Sequence, residues 1–347
     1  MKIGVIVESF REPLYTAFES AARIGAQGVQ MYAVCKDHNL ITMTGEERAA
    51  LKKRLDELGL KVSAICGDLG GHGFQDAAGN PERIRLSKQI IDICADFDTH
   101  VMTTHIGVVP TREESPVYQT MLEAAREVAQ YAAAHGVTLA IETGPEPADR
   151  LKKFIENAGG KGIGVNFDPA NLAMVLNINP AEAVPVLAKY IVHTHAKDGL
   201  HLRDCNPSDV YGSMDTYDLT PPEQQSKGDG PVFKEVALGQ GQVKWDEYIA
   251  ALKAIGYDGF LTIEREVGDN PKADITMAFL FHWVPYSSAL IRKNARAFFL
   301  RQRLCLRRDP AITVGRGRSA TCTILPLVFV ILSGSRQSLR QRHVAKT

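Results

Sequence analysis

Eight short apolar or β-branched runs alternate with longer segments of helical period, which predicts an α/β chain closed into a (β/α)8 TIM barrel. The alternation itself asks for a parallel sheet, and eight units are the number that closes one. An open doubly wound sheet usually shows a Gly-rich turn after its first strand. Glu8-Ser9-Phe10-Arg11 at that place is not one.

The strand runs, in order, are Ile3–Val7, Gly28–Tyr32, Val62–Cys66, Val101–His105, Thr138–Glu142, Gly164–Asp168, Ile191–His195 and Phe260–Glu264. Helical period marks Leu14–Ile24, Gly45–Leu58, Pro81–Phe97, Pro116–His135, Ala148–Ala158, Ala181–Tyr190 and Trp245–Ile255. Gly25, Gly59, Gly136, Gly159 and Gly256 fall at or just past helix ends, where a left-handed cap is wanted. Pro81 and Pro271 suit the first turn of a helix. Residues Asp198 to Val243 break the pattern with a stretch rich in Gly, Pro, Asp and Ser, which reads as a lid or binding loop.

At 347 residues and 45% apolar, the chain can bury a full barrel core, and its composition excludes a disordered or collagen-like protein. Six scattered cysteines without CxxC spacing indicate neither a zinc ribbon nor a disulfide framework. The start of the chain reads as a strand rather than a signal peptide, so a cytoplasmic protein is expected. The longest uninterrupted apolar run, Ile324–Leu332, has nine residues and contains Pro326, too short to span a bilayer.

The net charge of zero hides two compositions. Residues 281–347 carry 13 Lys/Arg, 11 of them Arg, against the single acid Asp309, a net +12. Residues 1–280 therefore carry −12, with lysine more common than arginine. The expected organisation is a barrel over 1–280 and an atypical basic, Arg-rich C-terminal tail over 281–347. That tail reads as a disordered extension or a terminus altered by a frame change, ahead of a nucleic-acid or anionic-membrane arm.

In a barrel, functional groups sit at the C-terminal ends of strands. Four consecutive strand runs end in metal-ligand residue types: Ile141-Glu142, Phe167-Asp168, Thr194-His195 and Ile263-Glu264. Three carboxylates and one imidazole form a mostly hard oxygen site, suited to Mn²⁺ or Mg²⁺ and compatible with Co²⁺ or Zn²⁺. Secondary candidates are His105 at the fourth strand end, His193 on the same strand face as His195, and Glu8 at the end of the first strand. Cys66 with Asp68, and His72, are weaker ones, with a plain loop role preferred for His72. Lys197-Asp198 reads as an ion pair holding the long loop.

The motifs Ile141-Glu142-Thr143-Gly144, Asn166-Phe167-Asp168-Pro169-Ala170-Asn171, His193-Thr194-His195-Ala196-Lys197-Asp198, Leu238-Gly239-Gln240-Gly241 and Gly256-Tyr257-Asp258-Gly259 before Ile263-Glu264 come in a telling order. Over about residues 1–278 the chain resembles the xylose isomerase-like TIM-barrel proteins, the sugar phosphate isomerase/epimerase group. The resemblance implies that Glu142, Asp168, His195 and Glu264 bind a divalent metal. It also implies that Glu142 and Glu264 transfer protons in a ketose isomerisation or epimerisation through a metal-stabilised enediolate. Asn171 stands where many epimerases have His, and Arg203 in the long loop is a candidate substrate contact. No phosphate-cradling glycine loop is visible, so an unphosphorylated sugar or cyclitol is slightly favoured over a sugar phosphate.

Dehydration of a keto-cyclitol or keto-acid, of the inosose or dehydroshikimate type, is the nearest alternative on the same site. An AP endonuclease is disfavoured, because Asn171 replaces a ligand and the acidic barrel repels phosphate. A non-catalytic sugar-binding subunit is the remaining alternative class. The expected partner is a small-molecule sugar rather than nucleic acid or membrane, and the relatives imply a homodimer or homotetramer.

Overall fold

The computed structural model describes residues 1–221 and 230–283. Eight strands form a closed, all-parallel barrel: β1 (Lys2–Ile6), β2 (Gly28–Tyr32), β3 (Lys61–Cys66), β4 (Val101–Thr104), β5 (Thr138–Glu142), β6 (Ile163–Phe167), β7 (Ile191–Ala196) and, after a two-stranded interruption, β10 (Phe260–Ile263). Each pairs with its neighbours in sequence, and β10 closes the ring between β7 and β1, with Leu261 opposite both Thr194 and Ile3. The strands are nearly continuous apolar runs because both of their faces are covered. β6 is buried throughout.

The outer layer follows the expected helices: α1 (Leu14–Ile24), α2 (Gly45–Glu57), α3 (Asn80–Asp96), α4 (Pro116–Ala134), α5 (Ala148–Asn157), α7 (Pro180–Leu187) and α9 (Trp245–Ala254). Their ends have local causes. Thr44 and Glu47 form a reciprocal capping box at α2. Ser115 caps α4 ahead of Pro116. All five helix-end glycines adopt positive φ as expected, from 68° at Gly136 to 104° at Gly159. A last helix, α10 (Pro271–Trp283), buries Ile275 and Ala278, and its Phe279 ring lies against Gly25 beyond α1. From residue 284 the Arg-rich tail lies outside the described residues, as does the Ile324–Leu332 run.

Two features differ from the expectation. A short helix, α6 (Pro169–Val175), follows β6 directly, because Asp168 caps it while Pro169 opens it. The stretch from Asp198 to Val243 is also more than a loop. It contains β8 (Asp198–His201) and β9 (Phe233–Val236), paired antiparallel, and the short α8 (Pro207–Tyr211) capped by Asn206. Residues 222–229 within it lie outside the described residues.

Asp198 ties this excursion to the barrel, though not through Lys197 as the sequence suggested. Its carboxylate is buried and accepts from the backbone N–H of Gly239 (2.8 Å), Gly241 (3.1 Å) and Val243 (3.2 Å) and from Trp245 Nε1 (3.1 Å). Gly241 must be glycine here, since a Cβ would lie 2.0 Å from Asp198 Oδ1. Among the described residues no helix is long and apolar enough to cross a membrane.

Hydrogen bonds to a buried charge contribute about 1.5–3 kcal/mol each, and orphaned buried donors cost more than lost bonds. Asp198→Ala should therefore destabilise the protein by at least about 3 kcal/mol in urea unfolding. A change below 1 kcal/mol would mean that the carboxylate does not hold the excursion.

Candidate metal centre

Four adjacent strands deliver the four expected ligand residues to one place. Glu142 ends β5, Asp168 follows β6, His195 lies in β7 and Glu264 follows β10. All four side chains are buried, and one ligand atom from each lies within 4.8 Å of the others. His195 Nδ1 is 3.1 Å from Glu264 Oε2, 3.6 Å from Glu142 Oε2 and 3.8 Å from Asp168 Oδ2. Donor atoms sharing an ion at about 2.1 Å stand roughly 3–3.5 Å apart, so the first spacing matches a coordination shell and the other two are slightly wider than one.

The hydrogen-bond inventory gives a second test of the fit. Asp168 Oδ2, His195 Nδ1 and Glu264 Oε2 are buried without a hydrogen-bond partner, although buried polar atoms are nearly always paired. Two of them belong to residues whose other polar atom is spoken for. Asp168 Oδ1 caps α6 by accepting from Ala170 N at 2.7 Å. His195 Nε2 lies 3.1 Å from Gln30 Oε1, and the Gln30 amide nitrogen donates to Thr103 Oγ1 at 3.3 Å. Gln30 is the acceptor for that ring, because the other neighbour, Asn166 Nδ2 at 3.1 Å, is a donor that also serves Glu142 Oε2. With Nε2 directed at Gln30, the proton on Nδ1 is the one that a cation among the carboxylates would displace.

Electrostatics point the same way. Burial opposes charge on Lys197, but Glu264, Asp168 and Glu266 outweigh it and hold the amine well above its ordinary range. Lys197 Nζ is 3.1 Å from Glu264 Oε2 and 3.8 Å from Asp168 Oδ2, and it also pairs with Glu266. Burial would raise Glu264, yet Lys197 and then His195 pull it below the usual carboxylate range. His195 is held protonated by Glu264 and Glu142 against its burial. A divalent ion replacing that proton would leave three carboxylates balanced by the ion and Lys197. The donor set thus fits a divalent cation in number, spacing and charge.

The secondary candidates separate. His105 is half-buried beside the cluster, with Nε2 3.4 Å from Glu142 Oε1 and Nδ1 3.1 Å from Asp68 Oδ2. Desolvation opposes its charge, but those two carboxylates outweigh it and keep the ring protonated. Asn171 stands behind Glu142 and spends its amide protons on Glu142 Oε1 (3.1 Å) and Thr143 O (3.0 Å). His193 is buried, with its ring nitrogens against Asn166 Oδ1 (2.8 Å), Thr262 Oγ1 (3.0 Å) and Ser63 Oγ (3.3 Å). Arg203 lies in the excursion, donating to Gly230 O at 3.1 Å. Glu8 turns to the loop after β2, where Oε1 accepts from Tyr32 N at 3.0 Å. Cys66 is buried, and burial pushes its thiol well up.

Sequence reasoning missed several neighbours. Gln30 and Lys197 gained their roles only when the barrel closed. Tyr211 of α8 brings its ring to within 3.7 Å of where a Cβ on Gly144 would stand, so the excursion packs over the β5 end. His72 and Gln75 meet Gly212 O (3.0 Å) and Met214 N (2.8 Å), and Thr111 donates to Asp218 (2.8 Å), strapping the same segment across the loops after β3 and β4. Glu146, four residues past Glu142 between two prolines, is buried with Oε2 unpaired.

The family model for the xylose isomerase-like TIM barrel matches residues 18–281. The chain belongs to that family. Among curated relatives of this xylose isomerase-like barrel, the uncharacterized protein YfiH of Bacillus subtilis (strain 168) is 31% identical over 134 residues, 39% of this chain and 37% of its own length. The chain thus matches little more than a third of that relative. A xylose isomerase domain protein from Planctomyces limnophilus is 29% identical, with a TM-score of 0.62 over 81% of this chain and 92% of its own. A probable 3-DHS dehydratase, AsbF, from Bacillus anthracis (19% identical, TM-score 0.62, covering 80% and 97%) shares the fold. So does a D-psicose 3-epimerase (17%, 0.57, covering 88% and 99%).

Burial pushes the Glu146 carboxyl up to about 7 against an ordinary 4.5, with Arg150 only partly compensating. A carboxyl raised on folding favours the folded state fully below pH 4.5, and that contribution is lost as pH rises through 7. Glu146→Gln should therefore stabilise the protein by up to about 3 kcal/mol at pH 8 and by nothing near pH 4. Melting temperatures of both proteins across that range check the sign, and equal shifts at both pH values would refute it.

Proposed function

We propose that the protein is a divalent-metal-dependent isomerase or epimerase of a ketose or related sugar, with Mn²⁺ the preferred ion and Glu142 and Glu264 the proton-transfer pair. The observation that carries this reading is the convergence of Asp168 Oδ2 and His195 Nδ1, both buried without a hydrogen-bond partner, between two glutamates at the ends of a four-strand arc. Oxygen-rich ligation favours Mn²⁺ or Mg²⁺, and the single imidazole also admits Co²⁺ or Zn²⁺.

Glu142, Asp168, His195 and Glu264 would hold the ion, which when bound supplies Lewis acidity to a hydroxyketone's oxygens. The two glutamates stand on either side of Asp168 and His195, so a substrate seated between them meets a carboxylate on each flank. Lys197 keeps Glu264 ionised as a base for the proton alpha to the carbonyl. On the other flank, Asn166 and Asn171 orient Glu142 to return a proton to the same or the neighbouring carbon. Opposite-face delivery inverts the carbon, whereas transfer between carbons isomerises. Tyr211 and the strapped excursion cover the mouth and exclude water from the reacting carbon. Arg203 and His193 are retained as substrate-side groups, at the hairpin and beneath His195.

A second reading rests on His105. A protonated imidazole 3.4 Å from Glu142 could deliver a proton to a departing β-hydroxyl, which would make the reaction a dehydration of a keto-cyclitol or keto-acid. A screen of ketohexoses, ketopentoses, their phosphates and inososes with Mn²⁺, followed by NMR in D2O, separates the outcomes. Retained hydroxyl count with deuterium at one carbon supports epimerisation or isomerisation, and loss of water supports the second reading.

Chelation should abolish turnover, and Mn²⁺, Mg²⁺ or Co²⁺ should restore it. His195→Ala should weaken metal binding at least about tenfold by titration calorimetry. Full activity in chelated protein shown to be metal-free would sink the mechanism.

Glu142→Gln and Glu264→Gln should each lower turnover by about 10² to 10⁴-fold at measured, saturating metal occupancy. One variant should still exchange the substrate's alpha proton with solvent while forming no product, and the roles should reverse from the product side. Two metal-replete variants turning over at near wild-type rates would rule out the pair.

A further inference from the structure

On the far side of Tyr32 a second group of ligand-type side chains comes together from two loops. Glu8 follows β1, while Cys35 and His38 lie in the tight turn after β2, closed by the Cys35 N–H to His38 O bond (2.9 Å). One ligand atom from each of the three lies within 4.8 Å of the others. Cys35 Sγ is 3.2 Å from His38 Nδ1, and Glu8 Oε1 is 3.5 Å from His38 Nε2. Sulfur and nitrogen ligands of one tetrahedral zinc stand about 3.5 Å apart, close to the first of these distances.

The hydrogen bonds around the cluster commit Glu8 Oε1 and His38 Nε2 to the Tyr32 backbone and join His38 Nδ1 to the Cys35 thiol, whose proton a metal would displace. His38 Nε2 donates to Tyr32 O at 2.8 Å, the usual way to orient a ligating imidazole, so Nδ1 carries the lone pair on the Cys35 side. Glu8 Oε1 accepts from Tyr32 N, whereas Glu8 Oε2 is buried with no hydrogen-bond partner. A buried carboxylate oxygen left unpaired beside a thiol and an imidazole is a free ligand atom aimed at the same place. His38 is buried, while Cys35 and Glu8 are only half-buried, so an ion can enter from solvent.

We propose that Glu8, Cys35 and His38 form a second metal site, separate from the carboxylate-rich centre, that takes a zinc-class divalent ion. One thiolate and one carboxylate neutralise a divalent charge. The mixed sulfur, nitrogen and oxygen set is softer than the first site, which biases the two toward different metals. Three protein ligands leave the fourth tetrahedral position to water. The proposal does not depend on the sugar chemistry assigned to the other centre.

Cobalt reports both sites at once, because only a thiolate ligand adds a sulfur-to-metal charge-transfer band in the near ultraviolet. Chelator-stripped full-length protein titrated with Co²⁺ should bind two ions per chain, counted by elemental analysis, and show that band. His195→Ala should keep the band and lose an ion, whereas Cys35→Ser should lose the band and retain one ion. Absence of the band from the wild-type protein, or a band that survives Cys35→Ser, would overturn the site, whereas one ion with the band present would count against the other centre alone. If Cys35→Ser fails to fold, His38→Gln gives the same spectral reading. Alkylation of wild-type Cys35 by iodoacetamide, read by peptide mass, is an independent measure. Zn²⁺ should slow it at least about tenfold by occupying the thiolate, and an unchanged rate would count against the site.

Discussion

Three carboxylates share a buried volume at one end of the barrel, and much of the surrounding structure answers the cost of keeping them there. Each desolvated charge costs several kcal/mol unless it is compensated. Lys197 supplies one positive charge from the strand that carries His195. Asn166 and Asn171 spend amide donors on Glu142, and the start of α6 engages one oxygen of Asp168. The compensation is incomplete in direction: Asp168 and His195 are each held by one atom, and the atoms left over turn toward Glu142 and Glu264. That is how a protein builds affinity for a cation in advance of meeting it.

The roof over this point is assembled from chemistry unlike that of the floor. The floor is parallel sheet, buried on both faces and rigid. The roof consists of turns and a one-turn helix joined to neighbouring loops by His72, Gln75, Thr111 and Arg112, whose guanidinium stacks on Tyr217 at 3.8 Å. In barrels of this kind the loops vary while the strand ends stay fixed. Structures that share this floor include a protein described as a dehydratase and another described as an epimerase.

The floor was legible in the sequence because its signals are local. Apolar runs ending in Glu142, Asp168, His195 and Glu264 announce both the strand and the side chains that converge at its end, and glycines such as Gly25 and Gly136 mark where helices stop. The strand boundaries moved by only one or two residues. The excursion was not legible, since β8 and β9 pair across a stretch whose composition is that of a loop. Lys197 looked like the partner of Asp198 because they are adjacent in sequence. Lys197 stands at the step from β7 to β8, where the lysine faces the carboxylates while the aspartate faces the returning chain. Gln30 carried no signal at all, because it meets His195 only through the closure that brings β2 and β7 to face each other.

Asp198 has a consequence for how this barrel could diversify. The excursion leaves and rejoins the scaffold at nearly one point, since the residue that begins it accepts hydrogen bonds from Gly239, Gly241 and Val243 at its end. Its ends are therefore joined independently of what lies between them, and doubling the intervening length would add only about 0.6 kcal/mol of closure entropy. Insertions, deletions and recombined segments can be tried there without disturbing the register of a single barrel strand. The knot makes the roof an exchangeable module above a floor that need not change with it.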